Sequence, residues 1–488
     1  MPAPVPAPAP APAPGATPAA APAAAPAAIP ARLQRVLSLL QARRDEALAE
    51  LQDWLRIPSI SADPAYARHV HDAAMWLAAR LRKAGLQDVR LVETPRHPCV
   101  VARYDVDPAA PTVTIYGHYD VQPAQRDDGW WCDPFEAPVR DGRIWGRGST
   151  DDKGQTYCHV LAAEAWIAAG GPPVNLRFIV EGEEESGSEN FLAVLQAEQE
   201  LLRADVLIVS DSPMRGEGRP AITESLRGIT VLEVDVAGPR TDLHSGSFGG
   251  AVRNPVEALA DMLASLKDAD GRVTVPGFYH DVRDVPADAR AEFGKVAEGD
   301  DEINAHAGVT GLWGEAGYSN AERVTIRPTV EINGMWGGYM GDGSKTIIPA
   351  SAHAKLSCRL VPNQDPLAVA GLVEAALRSA APPEVEVTVR LDHHGFPVTA
   401  DRQHPFMQAA AAALEATWGT APVWIREGGS IPAVAEMQRR LKAVPLMAGF
   451  GNRDENMHGP EESFRLDSFY KGQEASVRIL AAVAEAAR

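Results

Sequence analysis

His118 and Asp120 stand two residues apart in Gly117-His118-Tyr119-Asp120, Asp151 and Asp152 are adjacent, Glu183 to Glu185 form an acidic run, Asp211 follows Ser210, and His458 lies far downstream. Imidazole nitrogens and carboxylate oxygens without thiolate are a donor set for Zn2+, Mn2+ or Co2+. Hydrolysis of an unactivated bond needs such ligands, because paired divalent ions polarise the bond and acidify the attacking water. These residue types point to a two-metal hydrolase.

The rest of the composition narrows the alternatives. At 488 residues and 52.1 kDa the chain exceeds the size at which one core keeps growing, so two domains are expected. With 45% hydrophobic and 23% charged residues it reads as an ordinary soluble globule. A net charge of −19 argues against nucleic acid, which is bound by clustered Lys and Arg. Cys99, Cys132, Cys158 and Cys358 show no CxxC spacing, so buried reduced thiols are expected rather than a zinc ribbon or disulfides. Residues 1–30 are almost all Ala and Pro, which forbids helix and leaves nothing to bury, and they are expected to form a disordered arm. Neither a basic n-region followed by an apolar stretch nor a run of about 20 apolar residues is present. A cytoplasmic protein without a membrane partner is the expectation.

The elements that must position the chemistry are legible in outline. An apolar helical face runs from Arg32 to Leu48, and a second helix is expected over Ala73–Ala84. Strands are predicted at Thr112–Tyr116, Val174–Val180 and Val206–Val209, with a helix at Gln155–Ala169. Such alternation implies an α/β domain with a mostly parallel sheet, whose active site gathers at the carboxyl ends of the strands. His118, Glu184, Glu185 and Asp211 all fall just past a predicted strand end. From Gly228 the pattern changes. Predicted strands at Ile229–Val236, Val324–Ile332, Ala352–Leu360 and Glu384–Leu391, with helices at Pro255–Leu266 and Pro366–Arg378, read as an inserted α+β module at 228–398. It would interrupt a catalytic domain formed by 31–227 and 399–488, because the expected helices Ala409–Ala416 and Phe469–Ala487 resume the first pattern and His458 must return to the metals. The stretch to about Arg323 reads as acidic and irregular.

Each candidate has a plainer reading. His118 could be a surface residue at a strand end, but the alternation of extended chain puts Asp120 on its face, where a carboxylate can orient the ring. Asp151, before a helix, is by itself an ordinary N-cap. Acidic triplets are usually solvated loops, yet this one follows a strand of buried character and precedes Ser186-Gly187-Ser188.

Long motifs in a fixed order carry a family resemblance. Gly117-His118-Tyr119-Asp120-Val121-Gln122-Pro123, Gly146-Arg147-Gly148-Ser149-Thr150-Asp151-Asp152-Lys153-Gly154, Glu181 to Ser188, Asp242-Leu243-His244-Ser245-Gly246, Cys358 to Asn363 and Arg426 to Pro432 resemble the M20 metallopeptidases, in the branch of nonspecific and carnosine dipeptidases. The resemblance covers nearly everything after residue 30. It implies an aminopeptidase-like catalytic domain with a ferredoxin-like lid and dimerisation domain. It further implies that Asp151 bridges two metals after a cis Asp151–Asp152 peptide. One metal would have His118, Asp151 and Asp211, the other Asp151, Glu185 and His458, at a separation of about 3.5–4 Å. Glu184 would stay unligated and take the proton of the attacking water. His244 would stabilise the oxyanion from the partner subunit of a homodimer. Arg359 would grip a substrate carboxylate with help from Gly429 and Ser430, and His394 would touch substrate.

The expected activity is dipeptide hydrolysis with two divalent ions, zinc foremost and manganese or cobalt as alternatives. An N-acyl amino acid amidohydrolase is the alternative within the same chemistry, and an inert binding protein on the same fold the alternative outside it. The Ala/Pro arm has no counterpart in the family core, and the inserted stretch from about 276 to 323 is long and idiosyncratic.

Overall fold

The computed structural model describes residues 29–294 and 299–488. The arm expected over 1–30 lies outside the described residues except for Ile29 and Pro30, which open the helix Ile29–Ala42.

A nine-stranded sheet forms the centre. Its middle four strands, in spatial order Asn175–Glu181, Thr112–His118, Val206–Val209 and Val444–Met447, are parallel. Antiparallel strands Gln87–Val92 and Cys99–Tyr104 extend one side. Ala221–Leu226, with Val398–Thr399 and Val423–Glu427 paired to it, extends the other. Val206-Leu207-Ile208-Val209 is buried at every position, as a strand covered on both faces must be. Helix Lys153–Ala168 is buried nearly all round rather than on one stripe, because it lies between the sheet and the long helix Leu466–Ala486. Trp166 Nε1 donates to the Val477 carbonyl at 3.3 Å, and His159 is held between Ser210 and Ser476.

Gly228–Ala237, Thr329–Gly337, Ser351–Leu360 and Glu386–Gly395 form a separate four-stranded antiparallel sheet. With helices Pro255–Ala264 and Pro366–Ala380, the chain order is β-α-β-β-α-β, and the spatial order is fourth, first, third, second strand, the split βαβ arrangement. The alternation is strict: Leu232, Val234 and Val236, with Ala352, Ala354, Leu356 and Cys358, face the two helices and form a hydrophobic cluster of their own.

Several elements differ from the sequence reading. The helix expected from Arg32 to Leu48 is two helices, Ile29–Ala42 and Arg44–Leu55, broken at Arg43. The strand expected to start at Val324 starts at Thr329. Residues Asn320–Thr325 are helical instead, because Ser319 and Glu322 form a capping box and Pro328 disfavours helix at Arg327. The stretch read as irregular holds the short helices Ala287–Gly294 and Asp300–Ala307. All four cysteines are free and buried, as expected.

Candidate metal centre

The parallel strands deliver the site. His118 ends one strand and is in register with Glu181 at the end of its neighbour, while Asp211 lies two residues past Val209. Gly117 is required here. A Cβ at this position would lie 1.9 Å from Thr156 Oγ1 and 2.7 Å from Asp152 Oδ2, so only glycine lets the strand approach the following helix. Asp152 occupies the N-cap position of that helix, and the Asp151–Asp152 peptide is cis.

The ligand atoms form two triads, His118 with Asp151 and Asp211, and Asp151 with Glu185 and His458. Asp151 belongs to both through different oxygens. Its Oδ1 lies 3.1 Å from His118 Nε2, and its Oδ2 lies 2.9 Å from His458 Nε2. Asp211 Oδ2 is 3.9 Å from His118 Nε2, and Glu185 Oε2 is 3.3 Å from His458 Nε2. His118 and Asp151 are buried, whereas the His458 side chain is 59% exposed at the mouth.

The electrostatics fit a divalent pair. Burial, then the charge of Asp151, pushes the Asp211 carboxyl up to about 7. Glu184 is driven well above the carboxylate range by burial beside Asp211 and Glu185. Burial alone would raise Asp151, but hydrogen bonds from His118 and His458 outweigh it and hold its carboxyl low. His458 is pushed up to about 10 by Asp151 and Glu185. His118, whose burial opposes charging, is still raised by Asp120 and Asp151. A cluster that holds protons on both imidazoles and on Asp211 is short of positive charge. Divalent cations among these oxygen and imidazole donors would supply that charge, so the residues suit a divalent metal.

Supporting contacts come from residues that the sequence reading passed over. Glu462 is fully buried. Its Oε2 accepts from Arg147 Nη1 at 2.8 Å and from the Gly148 amide at 3.0 Å, and its Oε1 accepts from the amides of Thr150 at 2.9 Å and Asp151 at 3.1 Å. Gln122 Nε2 donates to Glu185 Oε2 at 2.7 Å. Glu183 does not face the triads. It ties its turn to Thr94, the His97 amide and Asn190. Asp120 has a wider part than orienting a ring. His118 Nδ1 sits 3.1 Å from the Asp120 carbonyl and 3.4 Å from its Oδ1, while the Asp120 carboxylate accepts from the amides of Glu184 at 3.3 Å and Glu185 at 3.0 Å. Gln122 was within reach of the sequence, lying in the same motif as His118. Glu462 gave no signal beyond lying four positions after His458.

A model of Peptidase family M20/M25/M40 matches residues 114–482. The chain belongs to this family. It is similar to the Cys-Gly metallodipeptidase dug1 of Schizosaccharomyces pombe, 31% identical over 460 residues that cover 90% of this chain and 96% of the relative. It is also similar to the Beta-Ala-His dipeptidase of Homo sapiens, 30% identical over 475 residues, 90% of each chain. Among solved structures, the M20 family metallo-carboxypeptidase Sso-CP2 from Sulfolobus solfataricus is similar with a TM-score of 0.78 at 31% identity, over 90% of this chain and 99% of that one.

The remaining candidates of this M20 chain lie on other elements. Arg359, in strand Ser351–Leu360, donates from Nη1 to Ser430 Oγ at 3.0 Å, and Ser430 Oγ donates to the Arg227 carbonyl at 2.5 Å. Gly429 is exposed beside Ser430, ahead of helix Pro432–Leu441. His244 is exposed at the end of the short strand Leu243–His244, which pairs with Ile347–Ile348. Its ring lies over Gly246, where a Cβ would meet it at 2.7 Å. His394 is exposed in strand Glu386–Gly395, its ring edge-on to Phe396. Among the described residues, none of His244, Arg359 and His394 makes a hydrogen bond or ion pair with the triads.

Proposed function

We propose that this chain is a two-metal dipeptidase that hydrolyses the amide bond of a dipeptide with a free terminal carboxylate. The observation that carries this reading is Asp151, which presents one oxygen to His118 and the other to His458 and so joins two ligand triads. Zinc is the preferred ion for these donors, with manganese or cobalt able to replace it. His118, Asp151, Asp211, Glu185 and His458 would hold two such ions, which would supply Lewis-acid polarisation of the scissile carbonyl and a more acidic attacking water.

The chain's own residues do the rest. Asp120 accepts the amides of Glu184 and Glu185 and so fixes the turn that aims both carboxylates. Glu184, outside both triads, takes the proton of the attacking water and returns it to the leaving amine. Arg359 and Ser430 hold the substrate carboxylate, and Gly429 leaves open space next to them. His244 donates to the oxyanion of a site on a second copy of the chain. A homodimer is supported by the edge strand Thr329–Gly337, where Ile332, Met335 and Trp336 are all more than a third exposed. The inserted region 228–398 then acts as lid and dimerisation domain, between catalytic segments 31–227 and 399–488. Among the described residues no helix is long and apolar enough to cross a membrane; a cytoplasmic enzyme is the proposed reading.

The test is amino-acid release from a panel of dipeptides, tripeptides and N-acyl amino acids, with chelated protein before and after zinc or manganese is restored. Metal-dependent cleavage of dipeptides is expected. Cleavage of the acyl substrates alone would establish the amidohydrolase alternative, and no turnover with either metal would leave an inert binding protein.

A further inference from the structure

Arg227 and Arg359 line a cavity of ≈ 460 Å³ that none of the metal-centre residues lines. In a chain of net charge −19, this cavity carries five cationic side chains, Arg227, Lys267, Arg323, Arg327 and Arg359. Two carboxylates face them, Glu315 and Glu331, and both are already engaged. Glu315 accepts both Nε and Nη2 of Arg327 at 2.7 Å and Arg272 at 2.9 Å. Glu331 lies 3.1 Å from Lys267 Nζ.

Three guanidiniums therefore remain without a carboxylate partner among the described residues. Arg227 Nε donates to the Gly428 carbonyl at 3.1 Å and its Nη1 to the Arg323 carbonyl at 3.5 Å. Arg323 donates to the Glu315 carbonyl at 2.9 Å and to the Asn320 side chain at 2.7 Å. Arg359 donates to Ser430 alone. Ser430 Oγ touches both the Arg359 side chain and the Arg227 backbone, so the two arginines are held together by structure, although like charge and burial oppose it. Arg227 is 8% exposed, and burial followed by the charge of Arg359 brings it down to about 10. Arg227 is buried beside the charge of Arg359, which the charge of Glu331 only partly offsets, so an entering anion would be favourable. Trp313, Gly314 and Arg323 belong to the stretch 276–323, so the part of the inserted region that departs from the family pattern shapes this cavity.

We infer that this cavity is the specificity pocket for the C-terminal residue of the substrate and selects an acidic side chain there. Arg359 holds the α-carboxylate, and a second carboxylate, that of aspartate or glutamate, meets Arg227 and Arg323. This deepens the dipeptidase reading and rests on it.

The experiment compares kcat/KM of the metal-loaded protein for Ala-Glu and Ala-Asp with that for Ala-Gln and Ala-Asn, pairs of nearly equal shape. Hydrogen bonds to an ionised acceptor are about twice as strong as neutral ones, so a preference on the order of tenfold for the acidic member is expected. Arg227→Gln and Arg323→Gln should each bring the ratio toward one. Because the readout is a ratio, a general loss of activity divides out, and Arg323→Gln stands in if Arg227→Gln does not fold. Turnover of all four peptides with a ratio at or below one overturns the pocket assignment alone, as does a ratio that neither variant changes. Turnover of none overturns the dipeptidase reading and the pocket with it.

Discussion

Replacing Glu462 by Gln tests whether Asp151, which the two triads share, is positioned by a residue outside both of them. The two oxygens of Glu462 receive four donors, Arg147 and the amides of Gly148, Thr150 and Asp151, at 2.8–3.1 Å. An amide keeps one oxygen, so the substitution turns one pair of hydrogen bonds into donor against donor and removes the carboxylate that, among the described residues, pairs with Arg147, itself 4% exposed. Breaking a buried ion pair from one side costs about 3–5 kcal/mol, because the surviving charge has no compensation. Part of that cost falls on the loop that presents Asp151. Loss of an outer support of this kind lowers metal affinity by about 10–100-fold while every ligand stays in place. Competition with a chromophoric chelator measures the affinity, and thermal unfolding of the metal-free protein measures the stability. The double variant Arg147→Met with Glu462→Gln removes the orphaned charge as well, and should recover part of the stability without recovering metal affinity. A folded Glu462→Gln protein that binds zinc within about twofold of the unaltered chain would refute the argument.

Glu184→Gln should reduce turnover by about 10²–10⁴-fold with metal content unchanged; loss of metal on this substitution would show that Glu184 rather than Glu185 is the ligand. His244→Ala should lower kcat by about 10²–10³-fold, also without metal loss, and unaltered activity would remove it from the oxyanion site. His159 supplies a pH dependence away from the metals. Burial brings it from the ordinary 6.5 down to about 3, so the unfolded chain binds the extra proton between those values and stability falls as pH drops below 6.5. The loss amounts to about 2 kcal/mol at pH 5, at about 1.36 kcal/mol per pH unit. Urea unfolding from pH 7 to 5 should show a shallower decline in His159→Gln than in the unaltered chain, and parallel curves would contradict the assignment.

Two of the candidate ligands could be placed from local pattern, whereas the grouping into two triads came from the family resemblance. His118 and Asp211 follow β-branched strand runs, and in a parallel sheet the ends of such runs meet on one edge whatever the loops do. The two chain layouts were legible for the same reason, since alternation in Gly228–Ala237 and uniform burial in Val206–Val209 reflect one covered face against two. Where capping overrode strand propensity, at Ser319 to Thr325, the hydrophobic run Val324–Ile332 misled. Composition and motif order thus determined the family and the mostly parallel sheet and pointed to the candidate donors, because these depend on residue type and short spacing. Only the tertiary structure decided which oxygen of Asp151 faces which histidine, that Glu462 rather than its neighbour Glu461 is buried against the Asp151 loop, and that Arg227 and Arg359 share a cavity in which, among the described residues, neither forms an ion pair with a carboxylate. Burial and partnership are properties of pairs brought together across hundreds of residues, and no local pattern records them.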